Sequence, residues 1–260
     1  MNQPLAAADE AINELMRLVA YAQNNEFLAK RYERVLRNAL DRGQGRADYL
    51  WLGLAAAACV LGHLDECLRC VKAALDNAPR DYMVAATAAA LYSNVGELQL
   101  AEEQIARLNA LSDPDRSGDL TMRVNMLRTA LNYEDALDMM QKFGVSDDSE
   151  MMRATKRFLE STDKYRLSRE ARRELMRVAI ATVRAQKCAI KQTSLDDEFG
   201  DGSVRFQIYV DETAERCGEI NRAIADALCE RFDDPAPEVV TFACRPASSY
   251  VFNGAFLAVN

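Results

Sequence analysis

Residues 48–114 read DYLWLGLAAAACVLGHLDECLRCVKAALDNAPRDYMVAATAAALYSNVGELQLAEEQIARLNALSDP. One pattern occurs twice in this stretch. Trp51, Leu54, Ala55 and Ala58 are followed by Gly62, Cys67, Val71, Ala74 and Pro79, and Ala85, Ala88, Ala89 and Tyr92 are followed by Gly96, Ala101, Ile105 and Pro114. Gly62 to Gly96 and Cys67 to Ala101 are each 34 residues apart. Each copy reads as two helices: a glycine suited to a left-handed backbone closes the first, and a proline stops the second. The alanines let paired helices approach closely, while Trp51, Leu54, Val71 and Ile105 fill the space between neighbours.

This period and these positions resemble the tetratricopeptide repeat family over roughly residues 48–143. The resemblance implies an N-terminal α-α superhelix in which the first helix of each unit lines a concave groove. It places Tyr49, Leu52, Ala56, Cys59 and Val60 on that groove in the first copy, and Met83, Ala86, Ala90, Ser93 and Asn94 in the second. These residues are largely apolar and depart from the Lys, Arg and Asn clamp with which some members hold a peptide carboxylate. The implied partner is therefore an amphipathic helix or an extended apolar peptide. Three segments of the chain itself compete for the same groove: the first hairpin, the basic helices and the apolar tail.

Toward the N-terminus, Ile12, Leu15, Met16 and Val19 recur at helical spacing, as do Leu28, Tyr32, Val35, Leu36 and Leu40. Helices are expected over about 4–24 and 26–41, broken at Asn24-Asn25 and ended by Gly43 and Gly45. Toward the C-terminus a third, worn unit is expected over 119–143, with Asn132 taking the turn where glycine stood and Ala136 lying 35 residues after Ala101. Together these segments define a helical-repeat domain, 1–147.

Residues 148–187 form a basic helical connector. Asp148 or Ser149 is expected to cap one helix and Ser168 another. From Arg153 to Lys187 there are eleven Lys or Arg against four Asp or Glu, in a chain of net charge −8. Arg169, Arg172, Arg173 and Arg177 would be the phosphate contacts of a nucleic-acid-associated regulator or defence component. The plainer reading is a solvated basic face that complements acidic neighbours within the chain, and the overall charge favours it.

From Cys188 the pattern alternates. Val204, Phe206, Ile208 and Val210 interleave with Arg205, Gln207 and Tyr209, the period of a half-buried strand. Cys188 to Thr193 is the expected hairpin partner across the acidic loop from Leu195 to Ser203. Asp211 is expected to cap a helix to about Phe232, followed by a strand over Val239 to Cys244. The tail from Ala247, with Tyr250, Val251, Phe252, Phe256, Leu257 and Val259, is expected to add an edge strand, the alternative being a segment that docks elsewhere. The chain as a whole is expected to be mainly α, with a small α+β domain of order α-β-β-α-β over 188–260 and room for one more strand.

The 260 residues suffice for a sizeable core, and 49% apolar against 28% charged is an ordinary globular composition. No apolar run reaches the ~18 residues of a membrane span, and MNQPLAAADE lacks the regions of a secretory signal, so a cytoplasmic location is expected. The seven cysteines are read as reduced, buried small hydrophobes, and Cys67-x-x-Cys70 lacks a second ligand pair. The single histidine, His63, sits in an expected turn, which leaves no Ser-His, Cys-His or multi-histidine chemistry elsewhere. Phosphate-loop, dinucleotide, zinc-protease and serine-hydrolase motifs are absent. Asp196, Asp197, Glu198 and Asp201 lack calcium-loop spacing; a carboxylate pair of this loop with Asp211 would offer hydrolytic chemistry, and an α+β module can carry a site that no motif marks. No metal or cofactor is therefore expected. The expectation is a non-enzymatic interaction scaffold, an adaptor, chaperone or assembly factor, that holds a protein or peptide in the groove and self-associates or binds again through the C-terminal domain.

Overall fold

The computed structural model describes residues 3–111, 120–197 and 199–252. Pro114, Asp119, Glu198 and the tail residues Phe256, Leu257 and Val259 lie outside them. The chain is mainly helical and ends in a small mixed sheet with a helix, as the sequence pattern requires. Ten of its helices form a run of packed pairs consistent with a helical repeat. Contacts divide the chain into two units, residues 1–112 with 247–260, and residues 113–246. The sequence reading places its breaks at 147 and 187.

The first unit holds α1 (Gln3–Ala20), α2 (Glu26–Asp41), α3 (Ala47–Leu61), α4 (Leu64–Asn77), α5 (Tyr82–Asn94) and α6 (Leu98–Leu111). Helix α3 is its centre. Every residue from Leu52 to Val60 is buried, the mark of a helix covered all round, and α3 packs on α1, α2, α4 and α5. The alanines and Gly53 make this crowding feasible. A Cβ on Gly53 would stand 2.8 Å from both Ile12 Cγ1 and Leu36 Cδ1, so α1 and α2 meet over a backbone with no side chain.

The second unit holds α7 (Leu120–Thr129), α8 (Tyr133–Lys142), α9 (Glu150–Lys164) and α10 (Arg169–Ala185), then β1 (Ile190–Asp196), β2 (Val204–Val210), α11 (Ala214–Arg231) and β3 (Val240–Pro246). Strand β1 pairs antiparallel with β2, and β3 lies parallel to β2 on its other side. A parallel neighbour needs a crossover, which α11 supplies. Asn221 of α11 bonds the Cys244 backbone of β3 twice: its Oδ1 accepts from the N–H at 2.6 Å, and its Nδ2 donates to the carbonyl at 3.0 Å.

A shared turn paces the first helix of successive pairs. Gly62, Gly96, Leu131 and Arg166 all have positive φ, at 74°, 79°, 55° and 55°, and so stand 34, 35 and 35 residues apart. At each, the next residue's N–H reaches back five residues, as in His63 to Ala58, Glu97 to Tyr92, Asn132 to Leu127 and Leu167 to Thr162. The rhythm therefore continues through α9 and α10, the segment read as a connector. It also corrects the third unit: Leu131, not Asn132, takes the left-handed turn, while Asn132 begins α8 by accepting from the Asp135 N–H at 3.3 Å.

Three other expectations change locally. Ser149 and Ser168 do cap α9 and α10, but α11 is capped by Thr213, whose Oγ1 accepts from the Arg216 N–H at 3.3 Å, rather than by Asp211. The hairpin loop is shorter than expected, because β1 runs on through Asp196. The described start of the tail is not an edge strand: Ala247–Ser249 is a 3-10 turn, and Phe252 lies 5.0 Å from Tyr21, ring centre to ring centre. The docked alternative is therefore what residues 247–252 adopt.

Candidate partner-binding face

The ten groove residues fall on α3 and α5, where they separate by burial. Leu52, Ala56, Cys59, Val60, Ala86 and Ser93 are buried, while Tyr49, Met83, Ala90 and Asn94 remain partly exposed. Packing explains the difference on α3. Ala56 and Val60 follow Gly53 by three and seven residues, so they share the face that meets α1 and α2. Cys59 turns instead to α4, with its sulfur 3.1 Å from that of Cys67. The first hairpin thus covers part of the surface assigned to a partner.

Met83, Ala90 and Asn94 form an accessible stripe on α5, beside the partly exposed Tyr82, and recur at i, i+7 and i+11 on one face. A bridge holds the N-terminal ends of α3 and α5 beside it. Arg46 lies 4.1 Å over the ring of Tyr49, pairs with Asp48 and reaches Asp81 at 2.6 Å. Asp81 in turn caps α5, its Oδ1 accepting from Met83 N–H at 2.9 Å and Val84 N–H at 3.2 Å. Burial pushes the Asp81 carboxyl up, but the Arg46 bond and the two amides outweigh it and hold the group below the usual carboxylate range. Burial also raises the Tyr49 phenol, against the pull of Arg46. The face is therefore an apolar stripe with a fixed guanidinium–carboxylate bridge at one end.

The four connector arginines are engaged inside the second unit. Arg169 makes a two-pronged contact with Asp135, at 3.1 and 2.9 Å. Arg172 is 1% exposed; it donates to the Leu131 and Leu167 carbonyls at 3.2 and 3.1 Å and pairs with Glu134. Arg177 pairs with Glu174; burial pushes the Asp135 carboxyl up, but the Asn132 and Arg169 bonds, with the charges of Arg169 and Arg173, hold it below the usual range. A phosphate would have to compete with these carboxylates, and it has no route to Arg172 in the folded chain.

The acidic loop is equally committed. Asp197 pairs with Arg128, Asp201 accepts from the Ser203 N–H and hydroxyl, and Asp196 accepts from Gln207. Among the described residues no cluster of His, Cys, Asp or Glu is arranged to hold a metal ion, and no helix is long and apolar enough to cross a membrane. Of the cysteines, Cys229 alone is exposed.

Sequence reasoning passed over the second face of the sheet. Gln207, only 6% exposed, accepts at Oε1 from the Tyr209 hydroxyl at 2.6 Å and from Arg245 at 3.1 Å. The alternation of Arg205, Gln207 and Tyr209 was a signal for it. Comparison with known proteins adds nothing to this geometry: no family model, no curated protein and no solved structure matches the chain.

Proposed function

We propose that the protein is a non-enzymatic interaction scaffold of tetratricopeptide-like build, which holds an apolar or amphipathic segment of a partner protein against α5 and the N-terminal end of α3. One observation carries this reading. In an array whose turns recur every 34 or 35 residues, Tyr49, Met83 and Ala90 keep apolar surface partly open on helices that are largely buried. Burying such a stripe stabilises a complex by roughly 25 cal/mol per Å² before ordering costs, enough for a short helix or strand. The Arg46–Asp81 bridge fixes the helix ends, so little of that gain is lost to ordering the scaffold.

A photo-crosslinking residue at Met83, introduced into the full-length chain in its native cells, tests this. The expected result is a discrete adduct whose partner, once purified, binds the wild-type chain at least tenfold more tightly than the Met83→Asp or Ala90→Asp variants, with helical content unchanged. Equal affinity for wild type and both variants, or no adduct above that from a probe at exposed Lys72, would overturn the proposal.

A further inference from the structure

After β3 the chain joins the first unit, where Phe252 lies 5.0 Å from Tyr21, ring centre to ring centre. Tyr21 directly follows α1, and Phe27 stands six residues further on, in the first turn of α2. Both rings stay open to solvent, Tyr21 at 43% exposure and Phe27 at 80%. We propose that residues 253–260, NGAFLAVN, dock on this corner of the α1–α2 hairpin with Phe256 seated on Phe27, so that the chain supplies its own apolar ligand there.

The exposed apolar groups are gathered rather than scattered. Tyr21, Phe27 and Val251 are three of the five large apolar side chains exposed among the described residues, and all three belong to this turn or to the segment seated beside it. Single apolar groups are ordinary on a surface, whereas a cluster marks a contact. The helix itself does not need the Phe27 ring: Asn25 caps α2 by accepting from the Leu28 N–H at 3.1 Å, and Ala29, Leu36 and Ala39 form its buried face.

Seat and reach select the chain's own tail as the occupant. Phe252 already fixes the start of the segment on Tyr21. In an extended run Phe252, Gly254, Phe256 and Ala258 share one side, and four residues carry Phe256 about 13 Å beyond Phe252. Packed helices stand about 8–10 Å apart, axis to axis, so this step passes from the end of α1 to the start of α2. Composition agrees, since residues 253–260 hold no charged side chain and five of the eight are apolar: Ala255, Phe256, Leu257, Ala258 and Val259. A tether this short gives the tail a local concentration of about millimolar, which a second copy of the chain at micromolar concentration does not match. The corner is then closed by the chain itself, independently of the partner stripe on α5.

The experiment uses the full chain carrying Cys229→Ser, Lys30→Cys and Ala258→Cys, which keeps Phe27, Phe256 and Leu257 and places one thiol a helical turn from Phe27. Brief treatment with a short bismaleimide should join the two thiols within one chain, read by mass spectrometry as linked peptides from positions 30 and 258 in the monomer. Phe27→Ser and Phe256→Ser should each slow the linkage about fivefold or more, with circular dichroism unchanged. Moving the first thiol to exposed Glu103 on α6, as Glu103→Cys in place of Lys30→Cys, should abolish it. The proposal is overturned by any of three results: links formed mainly between two copies, an unchanged rate in either serine variant, or linkage no faster than that from Glu103→Cys.

Discussion

The rings of Tyr133 and Phe158 stack with their centres 3.9 Å apart and their planes 29° from parallel. A guanidinium closes each end, Arg128 at 5.6 Å over Tyr133 and Arg172 at 5.6 Å over Phe158. One ring comes from α8 and the other from α9, so the stack joins two helix pairs through a four-layer column. Both rings are fully buried. Phe158→Ala removes the middle of the column and should destabilise the second unit by about 3–5 kcal/mol, read as a lower urea midpoint at an unchanged slope.

Arg172 makes the bonds that no other residue type could make there. Its fork serves two backbone carbonyls and Glu134 at once. Arg172→Lys keeps the charge but not the fork, so it should cost nearly as much as Arg172→Met, about 2–4 kcal/mol. Full recovery of stability in the lysine variant would show that charge alone matters.

Leu131 sets two effects against each other. Its left-handed backbone costs about 1 kcal/mol, which glycine would remove, but its side chain is 0% exposed and worth more than that in the core. Leu131→Gly should therefore destabilise by about 2 kcal/mol or more in urea unfolding, despite matching the residue found at Gly62 and Gly96. Gly53→Ala should likewise lower stability by about 1–3 kcal/mol, although alanine is the better helix former, because its Cβ has nowhere to go between Ile12 and Leu36.

Glu66 links α4 to α2. It bonds Arg69 at 2.7 Å and Arg37 at 2.9 Å, and the Arg69 bond above all, with Arg37, pulls its pKa down to about 2 against the opposing effect of burial. A carboxyl depressed in the folded state contributes stability above its unfolded pKa of roughly 4.3, and loses it as pH falls toward 2. The urea midpoint should drop through that window in wild type and drop less in Glu66→Gln. Identical pH profiles would show the cluster to be energetically idle.

Cysteine accessibility gives a direct check of the packing. Of the seven thiols, Cys229 alone is exposed, and burial raises the pKa of Cys70, Cys188, Cys217 and Cys244. Ellman's reagent should titrate one thiol quickly in the native chain, with the other six reacting only on unfolding. Cys229→Ser should abolish the fast phase.

The sequence by itself determined the helix pairs, because what marks them acts over a few residues. Apolar spacing sets the helices, and glycines at 62 and 96 permit the turn without a Cβ clash. The β-β-α-β order was legible for the same reason, since period-two alternation and a helical stripe are local. Where a residue other than glycine took the turn, the buried Leu131 and the exposed Arg166, the 35-residue rhythm could not be read. Tertiary structure decided the rest. It gave Leu52 and Ala56 to the chain's own core, sent Cys59 to Cys67, and matched Arg169, Arg172 and Arg177 with acids, two of them from another helix. Such pairings depend on which distant segments meet in three dimensions, and helical spacing does not encode that. The polar sheet face lies between the two cases: its alternation was in the sequence, but only strand register brought Arg205, Gln207 and Arg245 onto one surface.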